Sequence, residues 1–168
     1  FESVFVRTSG IKQEVKNKHI VVLDKGQVRM IILDSLLYVN RVAGLLGKRQ
    51  RMWLQNYLPL SEKPTFLVVH HTPGDDDGDL LDTDKLLQII TPLKAVKAVI
   101  FGHSHRYHHS VTDGIYMINL PAVGYNFNDT EPVGWLESHL TETEGTFTLR
   151  TIGGNQASDG SVVRFKWR

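Results

Sequence analysis

The sequence predicts an α/β fold, a βαβ unit followed by antiparallel strands, on three observations. Two dense apolar runs, residues 64–70 and 95–101, have the length and β-branched composition of strands buried on both faces. The segment between them carries helix signals, and the strand ends at His70 and His103 lie 33 residues apart, the span of a βαβ unit. Beyond residue 115 the pattern changes to short runs broken by Gly, Asp and Thr, which reads as an antiparallel meander.

The stretch to about Asn17 mixes charge with isolated apolar residues and is assigned no element. Residues 19–24 and 27–34 are β-branched runs separated by Lys25-Gly26, a tight-turn signal. They form a hairpin whose second strand is apolar enough to be buried on both faces before a polar turn begins at Asp34-Ser35. After Gly44 and Gly47, residues 48–58 place Met52 or Trp53, Leu54, Tyr57 and Leu58 on one helical face, and Pro59 ends this amphipathic surface helix. The strand over 64–70 stops at His70-His71-Thr72-Pro73-Gly74, and an acidic loop follows over 75–79, read as solvated and lacking the ligand spacing of an EF-hand. Asp82 or Thr83 caps a helix running through 85–90 and closed by Pro92. The strand over 95–101 ends at Gly102-His103-Ser104-His105, and four more strands follow at 115–120, 134–140, 145–150 and 161–167. No repeat, low-complexity tract or linker divides the chain.

Composition narrows the function classes. Of 168 residues, 41% are hydrophobic and 22% charged, which is ordinary globular usage. Nineteen Lys and Arg balance eighteen Asp and Glu for a formal charge of +1, so there is no nucleic-acid footprint. No apolar run approaches the roughly 18 residues of a transmembrane helix, and the chain reads as soluble. The absence of cysteine excludes disulfides, thiolate zinc sites and cysteine nucleophiles. Six of the eight histidines, by contrast, fall between His70 and His109.

Ligands of open α/β sheets collect outside the carboxyl ends of the parallel strands. His70, His103 and His105 occupy such ends in neighbouring strands, and imidazole suits Zn, Fe, Mn, Co and Ni. Two histidines at i and i+2 on a regular strand point to opposite faces; Gly102 is expected to let the backbone turn so that both aim at one centre. His19, His108, His109 and His139 are read as capping or surface residues.

The pattern Val69-His70-His71-Thr72-Pro73, then Val99-Ile100-Phe101-Gly102-His103-Ser104-His105-Arg106, resembles the second half of the calcineurin-like metallophosphoesterase superfamily, in the branch of bacterial phosphodiesterases similar to cyclic-AMP phosphodiesterase. Residues 29–35, Gly44-Leu45-Leu46-Gly47 and residues 50–58 resemble the strand, loop and helix that precede the histidine strand in that branch, so the resemblance covers most of residues 28–127. It implies a four-layer αββα sandwich, of which residues 1–168 are the C-terminal portion of a single domain. It also implies two divalent or trivalent transition-metal ions (Fe, Mn or Zn), bridged by an Asp and a solvent molecule that attacks phosphorus in line with the leaving group. His70, rather than His71, and His103 are then ligands of the second metal and His105 of the first. Asn119, Tyr125 and Asn126 either line the substrate side or are plain turn and strand-end residues.

Departures from the family pattern are large. The Asp-x-His, Gly-Asp and Gly-Asn-His elements that supply the carboxylate bridge and the general-acid histidine are absent from these 168 residues. Three readings follow. The chain is the C-terminal part of a metal-dependent phosphodiesterase acting on a small phosphoester, inactive without a missing N-terminal segment or an oligomer partner. Alternatively, it is a noncatalytic scaffold or binding module that keeps at most one metal, or an unrelated mononuclear zinc hydrolase using His70, His103 and His105 with water in the open position. A half-domain should also expose unpaired strand edges.

Overall fold

A computed structural model describes residues 11–168. Its first sheet has seven strands: β1 (Ile11–Val15), β2 (Lys18–Lys25), β3 (Val28–Ile32), β4 (Thr65–Val68), β5 (Val96–Phe101), β6 (His108–Thr112) and β7 (Ile115–Asn119), in the order β1-β2-β3-β4-β5-β7-β6. The middle is parallel, β3-β4-β5-β7; two antiparallel strands, β2 and then β1, extend one flank and the antiparallel β6 closes the other. A second, antiparallel sheet holds β8 (Pro132–Leu140), β9 (Glu144–Gly154) and β10 (Val162–Lys166) in the order β10-β9-β8. Two α-helices, α1 (Gly47–Tyr57) and α2 (Thr83–Ile90), and a short 3-10 helix over Leu58–Leu60 complete the elements of the described residues.

Period-two alternation divides the core between the two faces of the large sheet. Leu67 and Val69 point toward the helices, where Ile31, Val99, Leu54, Leu86 and Ile90 pack together; Phe66, Ala98, Ile100 and Ile118 point the other way, onto Phe147 and Phe165 of the second sheet. Each fully buried side chain of this size contributes about 1.5–3 kcal/mol. The described residues thus form three layers, helix, sheet and sheet; the second helical layer of the expected sandwich is not among them.

The predicted hairpin is present, with Lys25 paired to Val28 across a two-residue loop whose first residue, Gly26, has φ +56°, a region glycine enters without steric cost. The unassigned opening stretch yields β1 from residue 11 onward; its earlier part lies outside the described residues. The βαβ unit is also as predicted, β4 and β5 being parallel with α2 between them.

Two expectations need correction and one open choice is resolved. In α1, Trp53 takes the inner face and Met52 does not: Met52 is 51% exposed, while Trp53 and Tyr57 are half-buried and stacked at 4.6 Å. The buried stripe includes Gln50, which periodicity did not flag: its Oε1 accepts from the Asp34 amide (3.0 Å) and its Nε2 donates to the Asp34 carbonyl (2.7 Å), pairing with the end of β3 as a strand would. At α2, Asp82 precedes the helix but makes no cap bond to it. Its carboxylate accepts from the amides of Leu46 and Gly47, both at 2.9 Å, and so caps α1, whose own first turn holds Lys48 and Arg49 and no acid. Finally, the run at 115–119 does not belong to the antiparallel meander: it is parallel to β5 within the large sheet, because its hairpin partner β6, an exposed strand missed by apolar pattern, turns back at Asp113-Gly114.

Candidate metal centre

The carboxyl ends of β4 and β5 are laced together beyond the strands themselves. The Val69 amide donates to the Ile100 carbonyl and the Gly102 amide to the His70 carbonyl, both at 3.0 Å, and the Thr72 hydroxyl donates to the Gly102 carbonyl at 3.0 Å. The histidines therefore leave a fixed edge. His70 Nε2 and His103 Nδ1 stand 3.3 Å apart, with His70 open to solvent. His71 packs beside them, its ring 5.0 Å from His70 and 4.6 Å from His103. His105 is set to the side: its ring stacks on Phe127 at 4.4 Å, Tyr125 meets its edge at 4.7 Å, and its buried Nδ1 has no hydrogen-bond partner.

The turn that re-aims these histidines is not made where Gly102 suggested. His103 (φ +74°) and His105 (φ +55°) themselves occupy the left-handed region, which Gly102 does not. Each such non-glycine residue costs roughly 1–2 kcal/mol. A Cβ on Gly102 would meet only the His70 carbonyl at 3.9 Å, an ordinary contact. Gly44, picked out in the sequence only as part of the family-like loop, is the constrained glycine of the site: a Cβ there would fall 2.3 Å from His71 Cγ.

His71 is buried, and its Nδ1 lies 2.7 Å from the hydroxyl of Ser35, itself buried at the end of β3. Burial, reinforced by His103 and His70 and opposed by the Val42 carbonyl, pulls its pKa down to about 4, so the ring is neutral at neutral pH. Burial also lowers the pKa of His70, with His103 and His105 adding to the effect. Ser35 is in turn held by a loop bolted at its base: Lys18 Nζ donates to the carbonyls of Leu36 and Leu45 (2.8 Å each) and Asp34 (3.2 Å).

Of the residues proposed to line the substrate side, Asn119 is buried at the end of β7, where its Nδ2 donates to Ser104 within the histidine turn and its Oδ1 lacks a partner. Tyr125 is exposed and lines the same cleft as the histidines. Asn126 donates to the Glu131 carbonyl at 2.8 Å and serves its own loop. His19, His108, His109 and His139 are exposed strand residues, and Asp75, Asp76 and Asp77 face solvent.

The donor chemistry fits an imidazole-ligated transition metal: two ring nitrogens face each other and a third imidazole has an unsatisfied buried nitrogen. The carboxylates do not complete a cage. Asp34, at the neighbouring strand end, has its oxygens engaged by the amides of Leu36 (2.9 Å) and His19 (3.1 Å), and among the described residues no three His, Asp or Glu side chains converge as a ready-made metal site.

Residues 3–107, which include all three histidines, match the calcineurin-like phosphoesterase family. The chain belongs to that family. It is 30% identical over 127 residues to the 3′,5′-cyclic adenosine monophosphate phosphodiesterase CpdA of Vibrio vulnificus, an alignment covering 67% of the chain and 46% of the relative. With a probable cyclic nucleotide phosphodiesterase of Psychrobacter sp. (strain PRwf-1) it shares 26% identity over 104 residues, 55% of the chain and 31% of the relative. The alignments thus span 31% and 46% of these curated relatives, less than half of either. Among solved structures, a dimetal phosphatase from Danio rerio has the same fold, with a TM-score of 0.70 at 13% identity over 90% of this chain and 62% of that one.

Proposed function

We propose that this chain supplies the C-terminal, histidine-bearing portion of a single metallophosphoesterase domain that hydrolyses a small phosphodiester such as a cyclic nucleotide. The observation that carries the reading is the meeting of His70 and His103 at the ends of neighbouring parallel strands, inside the segment that matches the family. Two transition-metal ions, of the Fe, Mn or Zn class, would supply a Lewis acid for phosphoryl oxygen and a bound water of lowered pKa. His70 and His103 would hold one ion and His105, through its unpartnered nitrogen, would reach the other. Ser35, Asn119 and Thr72 hold the loops that carry these histidines, and Tyr125 stands at the outer end of the cleft. The bridging carboxylate and the general-acid histidine are assigned to sequence beyond these residues or to a partner, in keeping with the fraction of the relatives that the chain spans.

A second reading, a noncatalytic scaffold with at most one metal, is favoured by the absence of a complete donor cage among the described residues. Metal analysis of the purified protein, combined with hydrolysis of bis(p-nitrophenyl) phosphate, separates the two. The 168-residue chain alone should show little or no turnover. A form that also carries the missing motifs should bind two ions and hydrolyse the ester, and His103→Ala should abolish that activity. Robust hydrolysis by the chain alone would refute the assignment of the missing ligands; one ion or none, with no turnover in either form, leaves the scaffold reading.

A further inference from the structure

We propose that Tyr125 and Phe127 form a stacking corner that takes the flat base of a nucleoside phosphoester by its face, so that adenine and guanine cyclic nucleotides are accepted alike. This rests on the phosphodiesterase reading above and adds to it the residues that recognise the nucleoside.

Phe127 is 73% exposed and Tyr125 61% exposed, an unusual outlay of aromatic surface within one three-residue stretch. Their orientation is defined. Phe127 lies nearly parallel to His105 (17°), so one face of its ring is covered by a candidate metal ligand and the other faces solvent. Tyr125 stands at 85° to Phe127 with ring centres 5.5 Å apart, which makes a right-angled recess rather than a flat patch. The recess adjoins the histidines: a cleft of about 560 Å³ runs from His70, His103 and His105 along Leu120 and Pro121 to Tyr125, and Phe127 meets its edge through the stack on His105. That volume is in the range of small-molecule sites. A phosphoester held at the imidazoles would place a base against the two rings, whereas an alkyl or glycerol ester would leave both in water.

Edge recognition needs free donors and acceptors near the recess, because hydrogen bonds to the base edge are what distinguish one base from another. The side-chain amides of the same loop each have one of their two polar atoms engaged locally. Asn126 Nδ2 donates to the Glu131 carbonyl (2.8 Å) and Asn128 Oδ1 accepts from the Thr130 amide (3.0 Å). Stacking tolerates any base because each has a π face.

The test is calorimetric titration of the full chain, in the presence of Mn²⁺, with 3′,5′-cyclic AMP, 3′,5′-cyclic GMP and glycerophosphoethanolamine. The two cyclic nucleotides should bind within about threefold of each other, and Phe127→Ala and Tyr125→Ala should each weaken both about tenfold while leaving glycerophosphoethanolamine within about twofold. Both rings project into solvent, so the variants should melt with the wild type. Equal weakening of all three ligands, unchanged nucleotide binding in the variants, or a preference above about tenfold between the two nucleotides would overturn the proposal while leaving the phosphodiesterase reading intact. Failure of all three ligands to bind the wild-type chain would overturn the proposal, while hydrolysis by a form that carries the missing motifs tests the phosphodiesterase reading separately.

Discussion

At the amino ends of β3 and β4 the polar groups find partners, whereas at the carboxyl ends of the same sheet two buried ones do not. Arg29 donates to both oxygens of Asp24 (2.7 and 2.8 Å) and to the Ser61 hydroxyl (3.3 Å), and its guanidinium lies 5.5 Å over the Tyr57 ring. Thr65, fully buried, donates to the Lys63 carbonyl at 2.9 Å and meets Ser61 at 3.1 Å. The Arg29 hydrogen bonds dominate in holding the Asp24 carboxyl at about 2, with Lys63 assisting against the opposing effect of burial. Across the sheet, His105 Nδ1 and Asn119 Oδ1 are buried without partners and two histidines sit in left-handed backbone. One end is arranged for stability. The other concentrates unmet hydrogen-bonding capacity and backbone strain, which is where function is expected to draw on the fold.

Acid should separate the two ends most clearly. The folded-state pKa of His71 lies below the ordinary value, so its contribution is fully present above about 6.5 and is lost as pH falls toward 4. Asp24 contributes above its ordinary carboxylate pKa and loses its contribution only as pH falls toward 2. Urea midpoints of the metal-free protein should therefore fall first between about pH 6.5 and 4, and His71→Asn should flatten that limb; an unchanged limb in the variant would show that the histidine end does not set it. Arg29→Ala should come next in size. It removes a paired cation, a hydroxyl contact and packing on Tyr57, and should lower stability by about 1–2 kcal/mol in the same assay. The smallest effect has the opposite sense. His103→Gly should leave stability within about 0.5 kcal/mol of the wild type or raise it by up to about 1 kcal/mol, because glycine relieves the positive φ at some cost in unfolded-chain entropy. A loss above about 2 kcal/mol at His103 would show that the strain is offset by contacts the imidazole makes and would erase the contrast between the ends.

The strand ends were readable because they depend on local signals: a β-branched run, its stop and the distance to the next. The same locality explains the misses. Gln50 reads as a polar helix residue until Asp34, 16 positions earlier, is seen to need both its donor and its acceptor. β6 is an edge strand with four exposed residues, so no apolar alternation marks it, and the Asp113-Gly114 turn signal was the available clue. At the site, His70, His103 and His105 stood out by type and spacing. Ser35, Gly44 and Phe127 did not, since a buried hydroxyl, a glycine under an imidazole and an aromatic stacked on a histidine acquire meaning only through partners 22 to 36 residues away. For Ser35 that partner is His71, for Gly44 it is the same ring, and for Phe127 it is His105. Gly102 misled for a related reason, because its position before the histidines suggested a turn that the histidines make themselves.

The cap that Asp82 places on α1 has a kinetic consequence. A helix with two cations and no acid in its first turn begins poorly on its own. Its missing partner lies 35 or 36 positions downstream, beyond β4 and the acidic loop. Closing a loop of that length precedes the contact that rewards it. As the chain emerges from a ribosome, the start of α1 stays frayed until the chain beyond β4 brings Asp82 to it, so the first helix of the described residues finishes only after the strand that follows it.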